Sequence, residues 1–152
     1  MRKNILLTLL ILASGWLQAA DTVVVNGDRV NLRARPDTQR EVVGQVDAGA
    51  EMTVLSEQED WVEVAPPDGI VFWVHREFVQ DGMVQPRTLN VRAGPGINYT
   101  VVGRIPRATV LDVQETFGDW LKILPPEGTS LWIAAEYVDA VVPPEPVAVE
   151  PP

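Results

Sequence analysis

Asn31-Leu32-Arg33-Ala34-Arg35-Pro36 returns 59 positions later as Asn90-Val91-Arg92-Ala93-Gly94-Pro95, and Val30–Val79 then overlays Leu89–Val138 without a gap. Val42-Val43-Gly44 becomes Val101-Val102-Gly103, and Asp60-Trp61 becomes Asp119-Trp120. Pro66-Pro67-Asp68-Gly69 becomes Pro125-Pro126-Glu127-Gly128, and Trp73-Val74 with Glu77-Phe78-Val79 becomes Trp132-Ile133 with Glu136-Tyr137-Val138. Chance does not align so many Trp, Gly and Pro, so the chain encodes one small module twice. A chemical group present in only one copy cannot belong to a function that both share.

Within each copy the apolar residues alternate with polar ones. Val30, Leu32 and Ala34 share one parity and Asn31 and Arg33 the other, as Leu89, Val91 and Ala93 do against Asn90 and Arg92. That is the period of a half-buried strand, with Val30, Leu32 and Ala34 facing in. Further strands are predicted at Val42–Gly44, Met52 with Val54, Val62 with Val64 and Phe72–Val74, mirrored at Val101–Gly103, Leu111 with Val113, Leu121 with Ile123 and Leu131–Ile133. Short strands at close spacing, with no helical period after residue 20, predict an all-β fold of small barrels. The Pro36 and Pro95 segments are read as rim loops and the two Pro-Pro-acidic-Gly segments as turns between the last two long strands. Asn26-Gly27 resembles a tight hairpin turn, but its counterpart Gln85-Pro86 cannot take positive φ, so both read as lead-in loops. Glu77-Phe78-Val79 and Glu136-Tyr137-Val138 read as a tight turn feeding a short last strand.

The first residues carry a different signal. Arg2 and Lys3 precede the apolar run Ile5–Leu12, and small residues lead to Ala19-Ala20. This is the build of a signal peptide cleaved after Ala19 or Ala20, too short to span a bilayer, so the modules are expected in the periplasm or outside the cell with no stable membrane insertion after cleavage. Residues 1–20 are thus assigned to a signal helix, 21–81 to the first barrel, 82–140 to the second and 141–152 to an extended Pro-rich disordered tail.

Composition narrows the chemistry. The chain has no cysteine, which removes disulfides, thiol catalysis and cysteine metal sites. Domains of about 60 residues bury little surface, and the aromatic residues must supply the missing stabilisation. Without its first 20 residues the chain holds 10 Lys/Arg against 21 Asp/Glu, a net charge of −11. Residues 21–81 hold 5 Arg and 13 acidic groups, residues 82–140 hold 5 basic and 6 acidic groups. So negative a surface repels phosphate backbones and anionic lipid, which sets nucleic acid and membrane surfaces aside as partners. The imbalance also predicts that the two copies bind one charged ligand unequally.

Taken in order, Asn-Leu-Arg-Ala-Arg-Pro, a central Asp-Trp-Val-Glu-Val and a closing Trp-Val with Glu-Phe-Val resemble the bacterial SH3-like domain, and both copies carry all three parts. The resemblance implies tandem SH3-like β-barrels used for binding, often beside cell-wall hydrolases and frequently assigned to peptidoglycan or peptide recognition. It further implies that the central Trp and the aromatic of the terminal turn line a peptide groove.

Strand parity places Trp61 with Glu63, Trp120 with Lys122, Trp73 with His75 and Trp132 with Ala134, away from the apolar face. Trp61, Trp73, Phe78, Trp120, Trp132 and Tyr137 are accordingly the candidate ligand-binding residues, with Trp61 and Trp73 expected to meet on one surface. A competing reading has these Trp close the barrel ends and stack on Arg33 or Arg92. His75, the single histidine, has Ala134 as its counterpart and reads as a solvated loop residue. Glu57, Glu59 and Asp60 read as a solvated turn, and Pro143–Pro146 lacks the flanking Arg of a Pro-x-x-Pro ligand. No catalytic residue, metal site or cofactor is expected. The reading is an exported, non-enzymatic binding or scaffold protein of the cell envelope whose partner is a peptidoglycan stem peptide or an envelope protein. The alternative is the accessory region of a cell-wall hydrolase whose catalytic domain is missing or on a partner.

Overall fold

A computed structural model describes residues 21–141. The expected signal segment, and all of the Pro-rich tail after Val141, lie outside the described residues. Fourteen strands follow in order: β1 (Thr22–Val25), β2 (Val30–Arg33), β3 (Val42–Val46), β4 (Glu51–Gln58), β5 (Trp61–Val64), β6 (Phe72–His75), β7 (Val79–Gln80), β8 (Met83–Val84), β9 (Thr88–Arg92), β10 (Val101–Pro106), β11 (Val113–Phe117), β12 (Trp120–Ile123), β13 (Leu131–Ala134) and β14 (Val138–Ala140). Single 3-10 turns at Arg76–Phe78 and Ala135–Tyr137 interrupt them, where the tight turns were expected. The fold is all-β, as the alternation predicts. Val30, Leu32 and Ala34 are buried, and so are Val62, Val64, Phe72 and Val74.

Most strands pair within their own copy, but the closing strand of each does not. β5 and β6 are consecutive, yet β6 pairs with β12 and β9 of the second copy, with Phe72 opposite Ile123, Val74 opposite Leu121 and Trp73 opposite Arg92. In return β13 pairs with β5 and β2 of the first copy, with Leu131 opposite Val64, Ile133 opposite Val62 and Trp132 opposite Arg33. The copies have exchanged their closing strands. One barrel uses the order β14-β1-β4-β5-β13-β2-β3, drawing on both ends of the described chain. The other is the continuous segment from β6 to β12, its sheet β10-β9-β6-β12-β11 joined by the hairpin β7-β8.

The boundary drawn from the repeat between residues 81 and 82 therefore does not separate the barrels. It falls at the tip of the β7-β8 hairpin, where Asp81 and Gly82 both take positive φ (51° and 74°), as a two-residue turn of that kind requires. The folded units are 21–70 with 131–141, and 71–130. Both crossovers begin at a proline pair, Pro66-Pro67 and Pro125-Pro126. Proline cannot donate to a ladder and pushes its predecessor toward extended backbone, so a strand leaving these pairs is carried onward. The expected turns at Asp68-Gly69 and Glu127-Gly128 are present, but each hands the chain to the other barrel. Buried Ile70 lies over Gly44 on one crossover, and on the other buried Thr129 pairs with Gly103 and its Oγ1 donates to the Pro126 carbonyl at 2.6 Å.

Equivalent positions also meet. Glu41 and Thr100 are 59 residues apart, and the Glu41 carboxylate accepts from Thr100 N at 2.8 Å and from Thr100 Oγ1 at 2.6 Å. A contact between position i of one copy and its counterpart in the other marks an approximate two-fold axis between the barrels. Burial acts to raise the Glu41 pKa, but the two Thr100 hydrogen bonds, its own backbone N–H and neighbouring Arg40 outweigh it, and the net shift is downward.

Candidate functional site

Two grooves lie at corresponding positions of the two barrels. The larger, about 640 Å³, is lined by Asp28, Arg29, Val30, Asn31, Arg33, Thr38, Asp60 and Trp61 from the first copy and by Ala134–Tyr137 from the second. The smaller of the two, about 420 Å³, is lined by Pro86, Thr88, Leu89, Asn90, Arg92, Ile97 and Trp120 from the second copy and by His75, Glu77 and Phe78 from the first. Tryptophan comes from one copy and the turn aromatic from the other, because β6 and β13 carry their 3-10 turns with them across the exchange. Trp61 and Trp120 are half-buried, while Tyr137 and Phe78 are about two-fifths exposed (42% and 39%), so each pair presents one anchored and one accessible ring.

The rim of each groove is held by the arginine of the repeated motif. Arg33 Nη1 donates to the carbonyls of Thr38 (3.0 Å) and Arg40 (2.9 Å), and Arg92 Nη1 donates to those of Ile97 (3.1 Å) and Tyr99 (3.0 Å). A cation that satisfies two carbonyls fixes the loop that a β-strand pattern leaves undetermined. Each arginine also stands directly opposite a Trp across the sheet, Arg33 opposite Trp132 and Arg92 opposite Trp73. Beside them, Asn31 accepts from Gln45 Nε2 at 2.8 Å and Asn90 from Arg104 Nε at 3.1 Å, tying β2 to β3 and β9 to β10.

The six aromatic candidates divide. Trp61 with Tyr137 and Trp120 with Phe78 line the two grooves, whereas Trp73 and Trp132 line neither. Trp61 and Trp73 do not share a surface, since strand exchange puts them in different barrels. Trp73 packs edge-on against Phe117 at 6.3 Å, and Trp132 is 7% exposed between Arg33 and Glu63.

His75 is not a solvated loop residue. It sits on β6 directly opposite Trp120, with ring centroids 5.2 Å apart and nearly perpendicular, and 5.7 Å from Phe78. Its Nδ1 accepts from Glu77 N at 3.4 Å. The lining by His75 and Ile97 escaped sequence reasoning because their counterparts, Ala134 and Thr38, have different chemistry. Of the acidic trio, Asp60 lines the first groove, Glu57 lies in β4 and Glu59 stands in the β4–β5 turn.

Both halves of this arrangement match known proteins. Residues 28–80 and 87–139 fit the model of the bacterial SH3 domain. The chain belongs to that family. This bacterial SH3 pair is also similar to the putative N-acetylmuramoyl-L-alanine amidase YrvJ of Bacillus subtilis strain 168, with 27% identity over 134 residues, 79% of this chain. Those residues amount to 26% of the amidase, so the chain spans about a quarter of that relative.

Proposed function

We propose that this tandem bacterial SH3 protein is an exported cell-envelope module that binds extended peptide in its two composite grooves, with the peptidoglycan stem peptide as ligand, and that it binds without cleaving. The supporting observation is that each groove is walled by a half-buried Trp and an accessible aromatic, Trp61 with Tyr137 and Trp120 with Phe78, over a rim loop fixed by arginine. Rigid aromatic walls with polar groups at the edge are the usual build of a surface for extended chains. Likeness to an amidase over this region alone supports a cell-wall setting.

Co-sedimentation of the protein with purified sacculi tests the reading. The wild type is expected in the pellet, and Trp61→Ala with Trp120→Ala in the supernatant while circular dichroism shows the fold retained. A wild type that stays in the supernatant overturns it. The same similarity supports a second reading, a targeting region working beside a hydrolase. In that case the protein added in trans raises the rate at which an amidase solubilises sacculi, and no change in rate removes it.

A further inference from the structure

The two grooves are equivalent in place but not in chemistry. Thr38, Ala134 and Tyr137 of the first stand where the second has Ile97, His75 and Phe78. The first is also lined by Asp28, Asp60 and Glu136, and among the described residues none of these carboxylates has a hydrogen-bond or ion-pair partner. Other carboxylates are engaged: Asp47 accepts from Arg29 N, Glu63 from Ser56 and Glu41 from Thr100. Exchange sharpens the contrast, because the barrel built from 21–70 and 131–141 holds 4 Arg against 13 acidic groups, whereas 71–130 holds 6 basic and 6 acidic groups. Arg33 is held in place by the Thr38 and Arg40 carbonyls, so the lining sets two cations, Arg29 and Arg33, against three carboxylates.

From this we infer that the Trp61–Tyr137 groove selects an extended peptide bearing a primary ammonium side chain. The inference rests on the peptide-binding reading above and names the ligand feature that one groove reads. The ammonium stands against the faces of Trp61 and Tyr137, inside the field of Asp28, Asp60 and Glu136. The Trp120 groove, with Ile97 and Phe78 in a barrel of balanced charge, lacks that preference.

The test follows the Trp61 indole N–H resonance of the full chain at low salt during titration with N-acetylated, C-amidated Ala-Ala-Lys-Ala-Ala, with the same peptide carrying norleucine, and with cadaverine. Binding of the lysine peptide is expected to be about tenfold tighter than that of the norleucine peptide and to weaken with added salt. Asp60→Asn with Glu136→Gln brings the two peptides within about twofold, Glu51→Gln outside the groove leaves the ratio unchanged, and Arg29→Ala widens it. Equal binding of the lysine and norleucine peptides overturns the inference, and so does cadaverine binding as tightly as the lysine peptide, since a free amine would then suffice. Sacculi bound without any lysine preference overturn this inference alone. A lysine preference at Trp61 in a protein that ignores sacculi supports the groove chemistry and removes the envelope reading.

Discussion

Individual residues carry both copies' shared design and its departures. Gly49 and Ala108 occupy the same position of the repeat, and both take positive φ, 91° and 68°. Left-handed backbone costs a residue with a Cβ about 1 kcal/mol, part of which glycine returns through its greater unfolded-state freedom. Ala108→Gly is therefore expected to stabilise by about 0.5 kcal/mol and Gly49→Ala to destabilise by about 1 kcal/mol in urea unfolding. Glu41 gives a pH-dependent case. Its pKa is lowered in the folded protein, so its contribution is fully present above the ordinary glutamate value and is lost as pH falls through the depressed folded value. Wild type should hold an advantage over Glu41→Gln near neutrality that shrinks as pH falls to about 3, measured as the difference in unfolding midpoint. An advantage that grows toward acid would contradict the assignment.

At the level of elements, the crossovers between β5 and β6 and between β12 and β13 decide the architecture. A Cβ on Gly103 would collide with the Gly128 carbonyl and stand 2.9 Å from Thr129 Cα, both backbone, whereas one on Gly44 would meet the end of the Ile70 side chain at 2.6 Å. Side-chain ends swing aside and backbone does not. Gly103→Ala is expected to destabilise by more than about 2 kcal/mol and Gly44→Ala by about 1 kcal/mol, read from chemical denaturation. The rim loops behave as elements of their own, and hydrogen exchange checks their anchor. Arg92→Ala should raise exchange at residues 97–100 while the amides of β9 and β12 stay protected, because the guanidinium holds carbonyls that no strand pairs with. Strand parity put Trp61 and Trp120 on the polar side of their strands, where they are half-buried in the grooves. It could not reveal that His75 lies beside Trp120, since that contact crosses from one copy to the other and no pattern along a single strand encodes it.

For the whole molecule, exchange means that cutting the chain at the repeat boundary does not yield the folded units. Residues 71–130 contain every strand of one barrel in sequence and are expected to fold alone with dispersed amide resonances. Residues 21–70 lack β13 and β14 and should gain dispersed resonances only when a peptide spanning 131–141 is added. Folding of 21–70 without that peptide would count against the exchange.

The duplicated motif, the alternation of Val30, Leu32 and Ala34 and the Trp spacing made the all-β class and the family readable from the chain alone, because strand period and turn chemistry are local properties. Alternation likewise put Trp61 and Trp120 opposite the core face, though it put Trp132 there too and that ring is buried, while Phe78 and Tyr137 were implied by the family resemblance. Which β6 or β13 closes which barrel was decided only in three dimensions. The two copies offer nearly identical edges, so local pattern favours either pairing equally, and the choice falls to the stiff proline crossovers and to the contacts of Ile70, Thr129 and Glu41 that form once both barrels are in place. Each groove owes its second aromatic wall to that choice.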